Sequence, residues 1–190
     1  MKKLILVFSG PSGAGKSTLI NHLLEKYDSA GLTVSHTTRA ARENEKDGND
    51  YHFITHDEFE KMAKNNEFVE HVFCYGNRYG TSKKAIEEVL SKKDICVLDL
   101  EFEGAQNVLS NKIFDCECIG ILVLPPSLKT LRKRLKNRHS ETEESLECRL
   151  TESFKADKIA KYHHVIINAD LERAKLELTK IIEDRGSKQN

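Results

Sequence analysis

Residues 4–18 read LILVFSGPSGAGKST. The stretch splits into an apolar run, Leu4–Phe8, and a glycine-rich segment, Gly10–Ser17, that matches G-x-x-x-x-G-K-[ST]. The run is too short for a buried helix and reads as a buried strand. Thr18–Lys26 then reads as a helix. Strand, glycine loop and helix in that order form a phosphate cradle. The glycines let the backbone curl so that successive N–H groups face phosphate oxygens, and the helix adds its positive N-terminal end. Lys16 is placed to reach β- and γ-phosphates, and the Ser17 hydroxyl to ligate Mg²⁺. Gly10, Pro11, Ser12, Gly13, Ala14, Gly15, Lys16, Ser17 and Thr18 are therefore the candidate triphosphate-binding residues. A glycine turn that binds nothing is the bland alternative, and the flanking strand and helix argue against it. The motif does not say what receives the phosphoryl group.

Working outward, three more short apolar runs recur: Ile95–Leu100, Ile119–Leu124 and His164–Asn168. Short and nearly uninterrupted strands predict a parallel sheet covered on both faces. Amphipathic helices are predicted at Ser82–Lys93, Ser127–Arg138, Thr142 to about Tyr162, and Leu171–Asp184. Residues 32–80 differ. Short alternating pieces (LTVS, YHFIT, FVEHVFCY) surround one helical piece, Asp57–Asn66, which predicts a small mixed insertion. The expected class is α/β: a P-loop NTPase three-layer core with a parallel sheet, plus a small mixed α/β insertion.

Composition narrows the functions. With 190 residues, 38% hydrophobic, the chain suits one domain with a proper core. Lys+Arg 30 balance Asp+Glu 30, so there is no overall basic field of the kind nucleic-acid binders carry. No apolar run approaches the ~20 residues that span a bilayer. A soluble, cytoplasmic protein is expected. The odd set Cys74, Cys96, Cys116, Cys118 and Cys148 lacks both a disulfide framework and a zinc spacing, so reduced thiols are expected.

Two further features carry chemistry. Asp99 ends the run ICVLD, where a carboxylate beside the loop can hold Mg²⁺ directly or through water. Thr37–Phe53, TTRAARENEKDGNDYHF, sets Arg39 and Arg42 three residues apart before Tyr51. Guanidinium groups bind phosphate through paired N–H bonds, and a tyrosine hydroxyl adds a donor. By itself the pair also fits a solvated loop with surface ion pairs.

The pattern T-T-R-x-x-R-x-x-E-x-x-G-x-x-Y-x-F in that stretch resembles the signature of guanylate kinases. SGPSGAGKST, NNEFVEH from Asn65, YGNRYGTS from Tyr75, VLDLEFEG from Val97, LPPS from Leu124, RLKNRHSETEESLECRL from Arg134 and VIINADL from Val165 continue the resemblance in family order along almost the whole chain.

The resemblance implies one domain over 1–190. Its core is 1–31, 82–133 and 150–190, its GMP-binding region 32–81 and its lid 134–149. ATP becomes the donor co-substrate and GMP the acceptor. Arg39, Arg42, Tyr51 and Tyr79 match positions that hold the acceptor phosphate, and Ser35 and Thr81 match base contacts. Glu70 matches the position that reads guanine. Guanine presents N1–H and N2–H₂ side by side, so one carboxylate accepts from both, and adenine has no such pair. Arg134, Arg138 and Arg149 match arginines that close over the phosphates, where fixed cations favour the transition state. With Lys16 and Arg39 they are the candidate catalytic residues. Ser17 and Asp99 are the candidate Mg²⁺ ligands.

Glu101 stands where many members have Asp and is taken as a GMP contact with altered reach. His36 replaces a small hydroxyl residue, and Ala169 an acidic one after Asn168. Asn168 and Pro126 are considered as borders of the adenine. The acceptor oxygen belongs to an ionised phosphate, so no general base is assigned, and His52, His56, His71, His163 and His164 are read as structural or exposed. Nucleotides, not nucleic acid or membrane, are the expected partners; the oligomeric state is open, a monomer being plausible. Two alternatives remain. One is a non-catalytic guanylate-kinase-like module that binds phosphopeptides, against which the intact GPSGAGKS and the little chain beyond the domain argue. The other is a same-fold kinase with another acceptor, such as dGMP.

Overall fold

The computed structural model describes residues 3–74, 76–111, 114–136 and 159–186. Strand β1 (Leu4–Ser9) lies at the centre of a five-stranded sheet. Its companions are β2 (Ala30–Leu32), β7 (Ile95–Asp99), β8 (Glu117–Leu124) and β9 (His164–Ile167). The order is β2-β7-β1-β8-β9, and every neighbouring pair is parallel. Parallel strands need helices on both faces, and alternation along β1 shows both. Leu6 and Phe8 pack with Leu19, Ile20 and Leu23 of α1 (Lys16–Lys26) and with Ala174 and Leu178 of α6 (Leu171–Gly186). Ile5 and Val7 face Ile86 of α3 (Lys83–Lys92) and Ala105 and Val108 of α4 (Phe102–Ser110). Ile5 to Phe8 are buried, as a strand covered on both sides must be. The three-layer α/β class predicted from the apolar runs is the class observed.

The remaining strands form a second sheet of order β4-β3-β6-β5: β3 (His36–Thr37), β4 (His52–Phe53), β5 (Phe68–Cys74) and β6 (Asn77–Ser82). It is mixed, with β5 and β6 antiparallel to their neighbours and β3–β4 parallel. Helix α2 (His56–Lys64) covers it, started by a capping box between Thr55 and Glu58. Phe59 of α2 stacks on Phe68 of β5 at 4.5 Å between ring centroids.

Several details differ from the sequence expectation. Leu32, assigned to the insertion, is the last residue of β2 in the large sheet. Helix α2 ends at Lys64 rather than Asn66, because Asn66 takes a positive φ of 55°. Helix α4 and strand β6 were not predicted. Helix α5 spans Leu128–Lys136, and the long helix expected from Thr142 lies outside the described residues except near its end, where the chain is already turning at Ala160. Cys74, Cys96, Cys116 and Cys118 are free thiols.

Candidate functional site

The glycine loop leaves the carboxyl end of β1, and Asp99 lies next to it because Phe8 and Asp99 are register partners across β1 and β7. Gly10 has φ 135°, and a Cβ there would fall 2.1 Å from Val123 O, so the loop needs glycine to pass β8. Gly15 is the N-cap of α1 in the left-handed region, φ 100°. Lys16 Nζ donates to Gly10 O at 2.8 Å and lies 3.7 Å from Asp99 Oδ1. Ser17 and Thr18 are exposed on the first turn of α1. A hydroxyl at Ser17 and a carboxylate at Asp99 are hard oxygen donors that suit Mg²⁺, which takes one or two protein oxygens beside phosphates.

Behind the loop, Asn168 Nδ2 donates to Ala14 O at 2.8 Å. Arg134, on α5, donates through Nη1 to Ala14 O at 3.3 Å and Gly13 O at 3.5 Å, and through Nη2 to Asn168 O at 3.1 Å. This guanidinium is thus engaged with loop carbonyls. Arg138 and Arg149 lie outside the described residues.

The insertion presents the second group. On β6, Tyr79 and Thr81 share a face, and across β5 their partners are Val72 and Glu70. Glu70 is therefore fixed beside Thr81, whose N–H donates to Glu70 Oε1 at 3.0 Å. Ser35 Oγ lies 3.0 Å from Thr81 Oγ1. Glu70 is 6% exposed. Burial pushes its carboxyl up to about 7, against the hydrogen bonds from Thr81 and with a small push from Glu101. The first turn of α4 closes over it, and a Cβ on Gly104 would sit 2.2 Å from Glu70 Oε2. Glu101, the N-cap residue of α4, acts on both Glu70 and Tyr51 as a like charge.

Arg39 is held as a bidentate pair by Glu45, Nη1 to Oε2 and Nη2 to Oε1, each 2.9 Å, and also donates to Ala40 O at 2.7 Å. The Glu45 hydrogen bonds raise the Arg39 pKa and lower that of Glu45. Glu45 also accepts from Arg42 N at 2.9 Å, and the Arg42 guanidinium, 71% exposed, lies 3.8 Å from Glu45 Oε1. Below Arg39 lie the rings of Tyr51 and Phe53, 5.6 and 5.7 Å from the guanidinium carbon. Tyr79 packs 6.0 Å from Tyr51. Burial, followed by the Asp99 carboxylate, pushes the Tyr51 hydroxyl up to about 12. Asp99 is therefore the link between the groups: it pairs with Lys16 and acts on the tyrosine beneath Arg39. Both groups open at the carboxyl end of the large sheet, where ligands of such sheets bind.

Three residues in this arrangement were not assigned roles from sequence: Glu45, Gly104 and, as a partner of the loop, Asn168. Glu45 is the glutamate of the arginine motif, three residues after Arg42. His36 packs against His52 with ring centroids 4.7 Å apart and planes tilted by 34°, and burial lowers its pKa. His163 is structural, its Nδ1 accepting from Gly120 N at 2.9 Å.

A family model described as guanylate kinase matches residues 1–185. The chain belongs to the guanylate kinase family. A guanylate kinase of Rickettsia bellii is 38% identical over 190 residues, covering 100% of this chain and 98% of the relative. A human guanylate kinase is 42% identical over 190 residues, covering 96% and 94%. A crystal structure of guanylate kinase from Anaplasma phagocytophilum superposes with TM-score 0.74 at 29% identity, over 97% of this chain and 86% of that one. Guanylate kinases are nucleoside monophosphate kinases, and kinases of this kind use ATP with a divalent metal. Among the described residues no helix is long and apolar enough to cross a membrane.

Proposed function

We propose that this chain transfers the terminal phosphoryl group of Mg-ATP to GMP, giving ADP and GDP, with dGMP as a second acceptor. The observation that carries the reading is the buried carboxylate of Glu70, beside Thr81 and Ser35, on the same sheet as the Arg39, Tyr51 and Tyr79 cluster. One end of that sheet suits a base with adjacent donors, and the other suits a phosphate.

Gly10–Thr18 hold the donor's phosphates, with Lys16 moving from Gly10 O and Asp99 toward them. Arg39, Arg42, Tyr51 and Tyr79 hold the acceptor phosphate, and Glu70, Ser35, Thr81 and Glu101 border the base. Glu45 keeps Arg39 in place while its remaining N–H donors face the anion. Ser17 and Asp99 would hold Mg²⁺, which would supply positive charge to the donor's phosphates. The acceptor oxygen is already ionised, so no base is required and the protein supplies alignment and positive charge. Arg138 and Arg149 are assigned to the charge that spreads as the phosphoryl group moves, and Arg134, which donates to Gly13 O, Ala14 O and Asn168 O, to holding the loop that meets it. The reading sets the protein in the cytoplasm with nucleotides as its partners.

Steady-state phosphorylation of GMP, dGMP, AMP, CMP and UMP with Mg-ATP tests it. GMP should lead AMP by about four orders of magnitude in kcat/KM, because the wrong base leaves a buried carboxylate unpaired. AMP turning over as well as GMP would overturn the assignment of Glu70. No turnover of any acceptor would favour a binding module.

A further inference from the structure

A loop that turns its N–H groups inward turns carbonyls outward, and a buried carbonyl needs a donor. In Gly10–Ser17 one such donor comes from the far end of the chain. Asn168 follows β9 and is 4% exposed. Its N–H donates to Leu124 O at 2.8 Å, which pins its backbone to the end of β8. Its side-chain Nδ2 then donates to Ala14 O at 2.8 Å, and Arg134 Nη1 meets the same oxygen at 3.3 Å. The fit is close enough that a Cβ on Gly15 would lie 2.2 Å from Nδ2.

Peptide planarity converts this contact into an orientation. The Ala14–Gly15 bond is trans, so its C=O and N–H point in opposite directions. Drawing Ala14 O toward Asn168 turns the Gly15 N–H away from Asn168, to the other side of the loop. The neighbouring Ala14 N–H has no such freedom, since it donates to Pro11 O at 3.1 Å. Gly15 N–H is therefore the donor whose direction depends on Asn168.

We propose that Asn168 is a positioning residue for the donor nucleotide: its side-chain amide sets the Ala14–Gly15 peptide so that the Gly15 N–H faces the phosphates. Arg134 holds the same carbonyl from α5, which joins three separate segments at one peptide. This deepens the donor-site reading above and rests on it.

The test is calorimetric titration of the full chain with Mg-ADP and, separately, with GMP, for wild type, Asn168→Ala and Asn168→Asp. The aspartate keeps the shape and sets a carboxylate oxygen against Ala14 O in place of the donor. Mg-ADP affinity should fall about tenfold in Asn168→Ala and further in Asn168→Asp, while GMP affinity stays within about twofold. Should the alanine variant not fold, the isosteric aspartate carries the test. Wild-type Mg-ADP binding by Asn168→Asp would overturn the proposal, and so would equal losses for Mg-ADP and GMP, which mark a merely structural role. Absence of Mg-ADP binding in the wild type would instead sink the donor-site reading itself.

Discussion

Glu70 makes GMP recognition depend on pH. Its carboxyl is pushed up to about 7 from an ordinary 4.5, chiefly by burial. Guanine offers two donors, so only the ionised carboxylate accepts both, and a protonated Glu70 meets one of them with its own O–H. GMP binding must therefore expel a proton wherever the free protein holds one. With a pKa of about 7, roughly 9% of Glu70 is ionised at pH 6 and roughly 91% at pH 8, so GMP binds about tenfold more weakly at pH 6, or about 1.4 kcal/mol. The GMP phosphate titrates near pH 6 as well, so Glu70→Gln, which has no proton to lose, supplies the baseline. Calorimetry in two buffers of different ionisation enthalpy reads the excess proton release directly. The same raised pKa acts on folding with a definite sign. The folded protein binds the proton more tightly than the unfolded chain, so this stabilisation is complete below about 4.5 and is lost as pH rises through about 7. Identical pH profiles for wild type and Glu70→Gln, with no excess proton release, would refute the reasoning.

Lys16→Ala should cut turnover at saturating Mg-ATP by about two to three orders of magnitude while GMP affinity changes less than about twofold, as measured by single-turnover kinetics and titration. Gly104→Ala places a methyl group where Glu70 Oε2 now lies, 2.2 Å from the Cβ position. Its GMP KM should rise more than about tenfold with Mg-ADP affinity unchanged; a wild-type KM would show that α4 yields freely. Glu45→Gln breaks the bidentate grip on Arg39 by turning one acceptor into a donor. It should raise the GMP KM about tenfold and leave the ratio of GMP to AMP turnover intact, since phosphate and base are held by different residues.

The parts of the fold that sequence revealed are those governed by local rules. Leu4–Phe8, Ile95–Leu100 and Ile119–Leu124 are apolar because both faces are covered, and each appears as a strand. Strand β2 escaped because a three-residue edge strand, AGL, has no pattern to read. Helix α4 escaped because Gly104 weakens a helix signal, yet that glycine is required where the helix meets the Glu70 carboxylate. Strand β6 carries Gly80, which has no room for a Cβ against Phe68 at 2.9 Å. Tertiary contacts chose these residues over propensity. Of the proposed site, Lys16, Asp99, Arg39 and Glu70 were named from motifs. Its supports were not. Nothing local in the sequence says that Asn168 reaches back to Ala14 or that Gly104 meets Glu70, because both contacts arise only when distant strands close.

That one cleft holds both nucleotides is tested most directly by binding a single molecule in which adenosine and guanosine are joined through a phosphate chain. With the loop at Lys16 and the cluster at Arg39 linked through Asp99 and Tyr51, the joined compound should bind at least about a hundredfold more tightly than ADP or GMP alone, and Lys16→Ala and Glu70→Gln should each weaken it. Affinity no better than that of the stronger half, with only one of the two substitutions felt, would contradict a shared cleft.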